Sequence, residues 1–167
     1  MRSTNRQIQD RLEKGDVFAP FNDNYGFSRG DEVIRMTGRL ILNIVRNRQP
    51  KNSFVGHIGG DDFVFIVEVA LAEQICDEIV NAFDRIIPTI YEAEDRYKGY
   101  IQAPDRHGDM RTFPIMSISI GITDTRIIPA EHYGEITEAA SEMKKYAKQY
   151  KGSCYRYDRR RSRLIPS

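Results

Sequence analysis

The chain has 167 residues, with 25 Lys and Arg against 24 Asp and Glu, so its formal net charge is +1. This length suits one domain with one core, and the balanced charge excludes a uniformly basic surface that would coat nucleic acid. No apolar run approaches the ~20 residues of a membrane-spanning helix, and the polar start, Met1 to Lys14, is unlike a secretory signal. We therefore expect a cytoplasmic domain with no membrane or nucleic-acid contact, in which Cys76 and Cys154 are buried free thiols.

Apolar periodicity predicts three long helices, several short strands and a few turns. In chain order these are a polar helix over Asn5–Glu13, a turn-rich stretch over Phe21–Asp31, a helix over Asp31–Arg48, strands over Phe54–Ile58 and Phe63–Val67, a helix over Leu71–Ile87, a strand over Ile115–Ile122, a helix over Ile136–Tyr150 and a strand over Cys154–Tyr157. The alternation of strands with amphipathic helices predicts an α/β sandwich, in which helices cover one sheet.

Two segments carry unusual composition. Residues 89–111 are charged and aromatic, which predicts a short helix and then a hairpin around residues 105–109. This insert is either a partner surface anchored by Tyr91, Tyr97 and Tyr100 or ordinary surface decoration. The basic run near the C-terminus, residues 159–167, either touches an anionic partner or is a frayed terminus.

The turn between the first two predicted strands is the most informative local pattern. Its sequence is Gly59-Gly60-Asp61-Asp62. Glycines tolerate positive φ and let a phosphate or ribose approach the backbone, and adjacent carboxylates can hold Mg²⁺ together with phosphate oxygens. The same four residues also make a good hairpin turn with no further role, so the turn alone leaves both interpretations open.

Further motifs support the chemical interpretation. They are Asn22-Asp23-x-Tyr25-Gly26-x-x-x-Gly30-Asp31 upstream, and Ser117-x-Ser119-x-Gly121 and Ala147-Lys148 downstream. In this order and spacing, from about residue 6 to residue 158, the chain resembles the GGDEF domain family, the diguanylate cyclases. The resemblance implies a mixed central sheet sandwiched by helices, a nucleotidyl-cyclase-like fold with a ferredoxin-like core. It covers a single domain, 1–167, with an N-terminal helix (1–15), the insert (89–111) and the basic tail (159–167).

The resemblance also implies roles for particular residues. Asn22 and Asp31 match the positions that bind guanine, and Gly59 and Gly60 match the backbone that lies against the nucleotide. Asp61 and Asp62 match the acidic pair that serves metal binding and catalysis. Lys148 matches a phosphate-binding lysine. A turn former, an acid at a helix start and a solvated helix lysine are the plain structural alternatives for Asn22, Asp31 and Lys148.

The implied reaction condenses two GTP into cyclic di-GMP with Mg²⁺ or Mn²⁺, through a homodimer in which each copy holds one GTP. A sensor or receiver domain is expected elsewhere in the full-length protein. The alternative is a catalytically weak domain that binds GTP or cyclic di-GMP as a signalling module. An RNA-binding sheet domain is the third hypothesis, but no exposed aromatic pair at strand centres supports it.

One departure from the family concerns the metal. Family members have a core strand before the Asn-Asp motif that carries a metal-binding Asp, whereas here Ala19 runs directly into Pro20, and Lys14 falls where that Asp belongs. Either the strand and its Asp are lost, or the sequence skips about ten residues between Ala19 and Pro20, the length of a strand and loop. We favour the skipped segment, because a sheet without its central strand leaves backbone groups unpaired.

A second departure concerns product inhibition. The family's Arg-x-x-Asp product site is replaced by Pro50 and Ser53 at the matching spacing. Arg46 and Arg48 are the nearby candidates for product binding, with a solvated helix end as the alternative. His57, two residues before Gly59, is expected to be an ordinary strand histidine.

Overall fold

The protein alternates helices and short strands. The computed structural model describes residues 17–105, 107–125 and 133–159. The elements are α1 (Phe18–Tyr25), α2 (Phe27–Arg48), β1 (Phe54–Gly59), β2 (Asp62–Ile66), α3 (Val69–Ile86), α4 (Ala93–Lys98), β3 (Tyr100–Pro104), β4 (Met110–Pro114), β5 (Ser119–Ile122), α5 (Tyr133–Ala147) and β6 (Cys154–Tyr157). The predicted α/β class is confirmed.

The strands pair in twos, where one continuous sheet was expected. β1 and β2 are antiparallel, β3 and β4 are antiparallel, and β5 and β6 are parallel. In the described part of the chain, β2 and β5 therefore each have one hydrogen-bonded neighbour. Consecutive residues of both strands line one cavity. Because side chains alternate along a strand, lining by consecutive residues means that the strand edges face this cavity.

Two buried clusters support the elements, and α3 contributes to both. The first joins α1, α2 and the insert, and it includes Phe21, Val33, Phe83, Tyr91, Ile101 and Phe113. The second joins α2, α3 and β5, and it includes Ile41, Val45, Ile75, Cys76, Ile79 and Ile120. Burial of these side chains, each contributing about 1.5–3 kcal/mol, explains why the amphipathic segments fold as helices.

The predicted turn-rich stretch over Phe21–Asp31 is wrong. It forms α1 and the first turn of α2, which begins at Phe27, so Asp31 lies beyond that first turn. Phe21 is fully buried, and its ring centroid lies 5.1 Å from that of Tyr91. This tertiary packing stabilises a helix in a sequence rich in Asn, Asp and Gly, which favour turns.

A helix spans the point at which a skipped segment was predicted. Ala19 and Pro20 both lie in α1, and the amide of Phe21 donates to the carbonyl of Val17 at 3.1 Å. Pro20 is tolerated there because the amides of a first helical turn need no partner within the helix. Both alternatives, loss of the strand and a skipped segment, stay predictions. Lys14 and the predicted N-terminal helix lie outside the described residues, as does the tail from residue 160.

The insert contributes to the core. Its short helix and hairpin are confirmed as α4 and β3–β4. Tyr91 is buried, and its Oη accepts a hydrogen bond from the amide of Met116 at 3.0 Å, so its prediction as a surface anchor is wrong. Tyr25 Oη donates to Asp95, which ties α1 to α4; burial and this bond raise the pKa of Tyr25 to about 12. Tyr97 remains exposed.

The remaining predictions differ from the structure mainly in element length. The strand predicted over Ile115–Ile122 is reduced to Ser119–Ile122. Both cysteines are free, as predicted, but only Cys76 is buried, while Cys154 is half-buried. Among the helices of the described residues, none combines the length and the apolar character needed to cross a bilayer.

Candidate functional site

The site begins at the turn of the β1–β2 hairpin. Gly59 pairs with Asp62, and a bulge separates it from the His57–Phe63 pair. Gly59 has φ 148° and Gly60 has φ 55°, values that residues with a Cβ rarely adopt. A Cβ on either glycine would have no atom within 4 Å. The glycines are therefore required by backbone conformation, and they leave the outer face of the turn open.

His57 and Phe63 stabilise this turn through a hydrogen bond and ring stacking. His57 Nε2 donates to the carbonyl of Gly60 at 2.8 Å, and its ring stacks on that of Phe63 with centroids 4.8 Å apart. Phe63 in turn packs on α2, because a Cβ at Gly38 would lie 3.1 Å from its ring. His57 is therefore part of the turn's support, a role that its position in a strand did not reveal.

The two carboxylates differ in their surroundings. Asp61 is exposed, whereas Asp62 is half-buried and accepts a hydrogen bond from Lys144 Nζ at 2.9 Å. This ion pair connects the hairpin to α5. Lys144 could not be singled out from the sequence, because it is one of several lysines near the end of an amphipathic helix and lies 82 residues from Asp62.

The position of α5 depends on Gly121 in β5. A Cβ at Gly121 would lie 2.4 Å from the amide nitrogen of Lys144 and 2.5 Å from the carbonyl carbon of Met143. No real Cβ makes such contacts with backbone, so a glycine is needed for α5 to lie directly on the strand. The Gly121 of the downstream motif thus places Lys144 within reach of the hairpin.

A cavity of about 1330 Å³ is lined by the hairpin, β5 and α5, and it extends inward to apolar side chains of α1, α2 and α3. Asp61 and Asp62 line it together with Lys144, Lys145 and Lys148, and Lys144 Nζ lies 2.9 Å from Asp62. The structure therefore brings together three of the predicted site residues, the two carboxylates and Lys148. Opposite charges facing one cavity suit a ligand that carries phosphates and a bound cation.

Asn22 and Asp31 lie elsewhere. Neither lines this cavity, and Asp31 is exposed on α2. Asn22 Oδ1 is buried without a hydrogen-bond partner among the described residues, at a point where a Cβ on Gly30 would lie 1.8 Å away. A buried acceptor without a partner is costly unless a ligand or water serves it, and this oxygen lies against Gly30 and outside the cavity.

The predicted product-binding arginines end α2. Arg46 is exposed, while Arg48 bonds the carboxylate of Glu78 on α3. This hydrogen bond raises the pKa of Arg48. Both positive charges also suit the C-terminal end of a helix, so the structural alternative explains Arg48 without a ligand.

Two further polar residues of the cavity were missed. Asp124 is 2% exposed and accepts a hydrogen bond from Tyr157 at 3.0 Å, and Thr123 Oγ1 is buried with no partner in the described part of the chain. Both follow β5 directly and line the cavity. Their position just after a strand was a signal, but nothing in the sequence showed that they line the same cavity as Asp61 and Asp62.

The family implies a divalent metal, and the donors fit one mode of binding. No group of three or more His, Cys, Asp or Glu side chains suited to a metal occurs within residues 17–105, 107–125 and 133–159. Mg²⁺, however, is commonly held by one or two carboxylates together with substrate phosphates. Asp61 and Asp62 fit that mode, in which the nucleotide completes the coordination.

Comparison with known proteins agrees with these features. Residues 12–154 match the family described as diguanylate cyclase, GGDEF domain. A curated relative, diguanylate cyclase DgcS of Shewanella oneidensis, is 36% identical over 69 residues, which cover 40% of this chain and 22% of that protein. No solved structure matches significantly. The family match spans most of the chain and includes the Gly59–Asp62 turn, and the chain therefore belongs to the GGDEF domain family.

Proposed function

We propose that this domain is a diguanylate cyclase, which binds GTP with Mg²⁺ or Mn²⁺ and condenses two GTP into cyclic di-GMP. One observation carries the proposal. Asp61 and Asp62 of the hairpin turn line a cavity that is also lined by Lys144 and Lys148. Carboxylates for a cation and ammonium groups for phosphates therefore line the same cavity.

Different residues would bind the phosphates, the metal and the guanine base. The open backbone of Gly59 and Gly60 lets phosphates approach the turn. Asp61 and Asp62 would hold the metal, which when bound neutralises charge on the reacting phosphates. Lys148, on the same side as α5, would bind the outer phosphates. Asn22, whose amide oxygen has no partner among the described residues, would accept a hydrogen bond from guanine, with Asp31 as the second guanine contact.

The reaction requires two domains. The 3′-hydroxyl of one GTP attacks the α-phosphate of the other, and pyrophosphate leaves. The 3′-hydroxyl of the second nucleotide then attacks the α-phosphate of the first, which closes the ring and releases a second pyrophosphate. Each domain holds one GTP, so two copies must face each other, and catalysis is mainly positioning and electrostatics. Input signals would come from a sensor or receiver domain elsewhere in the full-length protein. The curated relative is consistent with this, because the aligned region covers 22% of its length.

The second candidate is a binding module with little or no turnover. It is favoured by the helix over Ala19 and Pro20, where family members carry the metal-binding strand, and by the absence of a third acidic metal ligand among the described residues. Such a domain would hold GTP or cyclic di-GMP and signal through its dimer state, with Arg46 and Arg48 as candidate contacts to the product.

A direct assay separates the two candidates. The protein at high concentration, which favours dimers, is incubated with GTP and Mg²⁺, and cyclic di-GMP and pyrophosphate are quantified. GTP binding is measured in parallel by calorimetry. Formation of both products supports the cyclase. Binding without product supports the signalling module, and absence of both binding and product overturns the proposed site.

Removal of one carboxylate tests the metal site. We expect Asp61→Asn to lower metal-dependent turnover by about 10²-fold or more, because a fixed charge beside the reacting phosphate is lost. Its thermal stability should stay near that of the wild type, since Asp61 is exposed and the glycines determine the turn. Asp109→Asn, an exposed Asp in the β3–β4 hairpin region, is the matched control. Unfolding of Asp61→Asn would show that Asp61 is only a turn residue.

A further inference from the structure

We propose that Lys144 is an internal counter-ion. Its ammonium group pairs with Asp62 until a metal–nucleotide complex binds, and the side chain then moves so that the ammonium group pairs with the phosphates. The inference rests on the proposed GTP site and concerns its regulation. The observation is the 2.9 Å ion pair between Lys144 Nζ and Asp62 Oδ2, made by a carboxylate that the family assigns to catalysis.

The position of Lys144 is fixed by the backbone. Its amide nitrogen lies directly over Gly121, at a distance that excludes any Cβ, so α5 lies directly on β5 at this residue. Lys144 and Asp62 are both half-buried, with 34% and 38% of their side chains exposed. A charge pair in this setting is screened less by solvent than a fully exposed one.

The ion pair and a metal compete for the same atom. A lysine ammonium ion bound to Asp62 neutralises the charge that attracts a divalent cation, and it adds like-charge repulsion of its own. Once a metal takes Asp62, the displaced ammonium group has a flexible stem and lies at a cavity also lined by Lys145 and Lys148. The phosphates that arrive with the metal are the nearest new partners of opposite charge.

The first test measures metal binding without nucleotide. Mn²⁺ alone is titrated into ¹⁵N-labelled protein, and paramagnetic broadening of the amide signals of Asp61, Asp62 and Phe63 is followed. We expect Lys144→Gln to bind Mn²⁺ about two- to fivefold more tightly than the wild type, the range of an exposed ion pair. Lys144→Arg should restore the weaker affinity. Lys145→Gln removes a charge that lines the same cavity outside this ion pair, and it should change the affinity less.

The second test measures nucleotide binding without turnover. The probe is 3′-deoxy-GTP with Mg²⁺, which lacks the attacking hydroxyl, and Lys144→Gln should bind it at least twofold more weakly. With the metal removed by EDTA, Asp62→Asn should bind the same probe more tightly than Asp61→Asn, because only Asp62→Asn releases Lys144. This pair of variants serves even where Lys144→Gln does not fold.

The outcomes separate the inference from the proposed function. If Mn²⁺ affinity is the same in Lys144→Gln and the wild type, the counter-ion role is wrong. If Lys144→Gln binds Mn²⁺ more tightly than the wild type but binds 3′-deoxy-GTP with the same affinity, the proposed movement of the ammonium group to phosphate is wrong. If 3′-deoxy-GTP binds to none of the proteins, the GTP site itself fails, while the Mn²⁺ comparison still decides the counter-ion role.

Discussion

Single side chains determine whether the site has its proper shape. The Gly59–Asp62 turn could be predicted from the sequence because its four residues are contiguous, and the conformational requirement for glycine is local. Its supports could not. His57 bonds Gly60 and stacks on Phe63, but its side chain could have faced solvent equally well on sequence grounds.

Gly30 allows a test of Asn22. In Gly30→Ala the new Cβ would lie 1.8 Å from Asn22 Oδ1, so the amide must move from its buried position. We expect GTP affinity to fall by about tenfold, the effect of one lost hydrogen bond, as in Asn22→Ala. The double variant should be no weaker than either single variant, since both remove the same contact.

Calorimetry of GTP binding checks this prediction. Gly134→Ala is a suitable control, because a Cβ at Gly134 would have no atom within 4 Å. Full GTP affinity in Gly30→Ala would contradict the assignment of Asn22 to guanine.

At the scale of elements, the position of α5 is set by one residue of β5. Gly121→Ala would place a Cβ against backbone atoms of Met143 and Lys144, and neither can move without shifting the helix. We expect a loss of about 1–3 kcal/mol in the free energy of unfolding, typical of overpacking. Chemical denaturation measures this loss of stability. The Lys144–Asp62 ion pair should be lost as well, which a change in the NMR signals of Asp62 would show.

Ser119→Ala, in the same strand, is the control for that variant. Ser119 is half-buried in β5, and its replacement adds no atom. Equal unfolding midpoints for Gly121→Ala and the wild type would mean that α5 does not lie directly on β5.

The insert illustrates a prediction that depended on tertiary contacts. Tyr91 lies in a charged segment, which is typical of a surface, yet it is 2% exposed. Its hydroxyl bonds the Met116 amide, and its ring packs on Phe21. Each of these partners is distant in sequence, so no local pattern could distinguish it from Tyr97, which is 94% exposed.

Substitution of the two tyrosines measures that difference. Tyr91→Phe should lower the free energy of unfolding by about 1–3 kcal/mol, because it leaves the buried Met116 amide without a partner. Tyr97→Phe should change it by less than about 0.5 kcal/mol, as is usual for exposed sites. Equal effects, measured by urea denaturation, would contradict the burial of Tyr91.

At the scale of the whole molecule, stability depends on a buried thiol. Burial, and then the charge of Glu73, raise the pKa of Cys76 from its ordinary value of 9.0 to about 12. Between these values the unfolded chain loses a proton that the folded protein retains. The free energy of unfolding should therefore fall as the pH rises above about 9, with a slope of at most about 1.4 kcal/mol per pH unit from this group.

Comparison with Cys76→Ala isolates this contribution from other groups that titrate at alkaline pH. The difference in unfolding free energy between the wild type and Cys76→Ala should shrink from pH 9 toward pH 12, whereas Cys154→Ala, at a half-buried thiol, should show a smaller change. Parallel pH profiles for the wild type and Cys76→Ala would contradict the raised pKa.

The sequence by itself determined the α/β class, the long amphipathic helices, the hairpin and its acidic turn, since these depend on periodicity and contiguous residues. Only the tertiary structure decided that a turn-rich segment folds as α1, that Tyr91 is buried, that the strands pair in twos and that Lys144 reaches Asp62. The physical reason is that these features arise from contacts between residues far apart in the chain. They depend on how α5 lies on Gly121 and how α1 packs on the insert, and no local pattern records them.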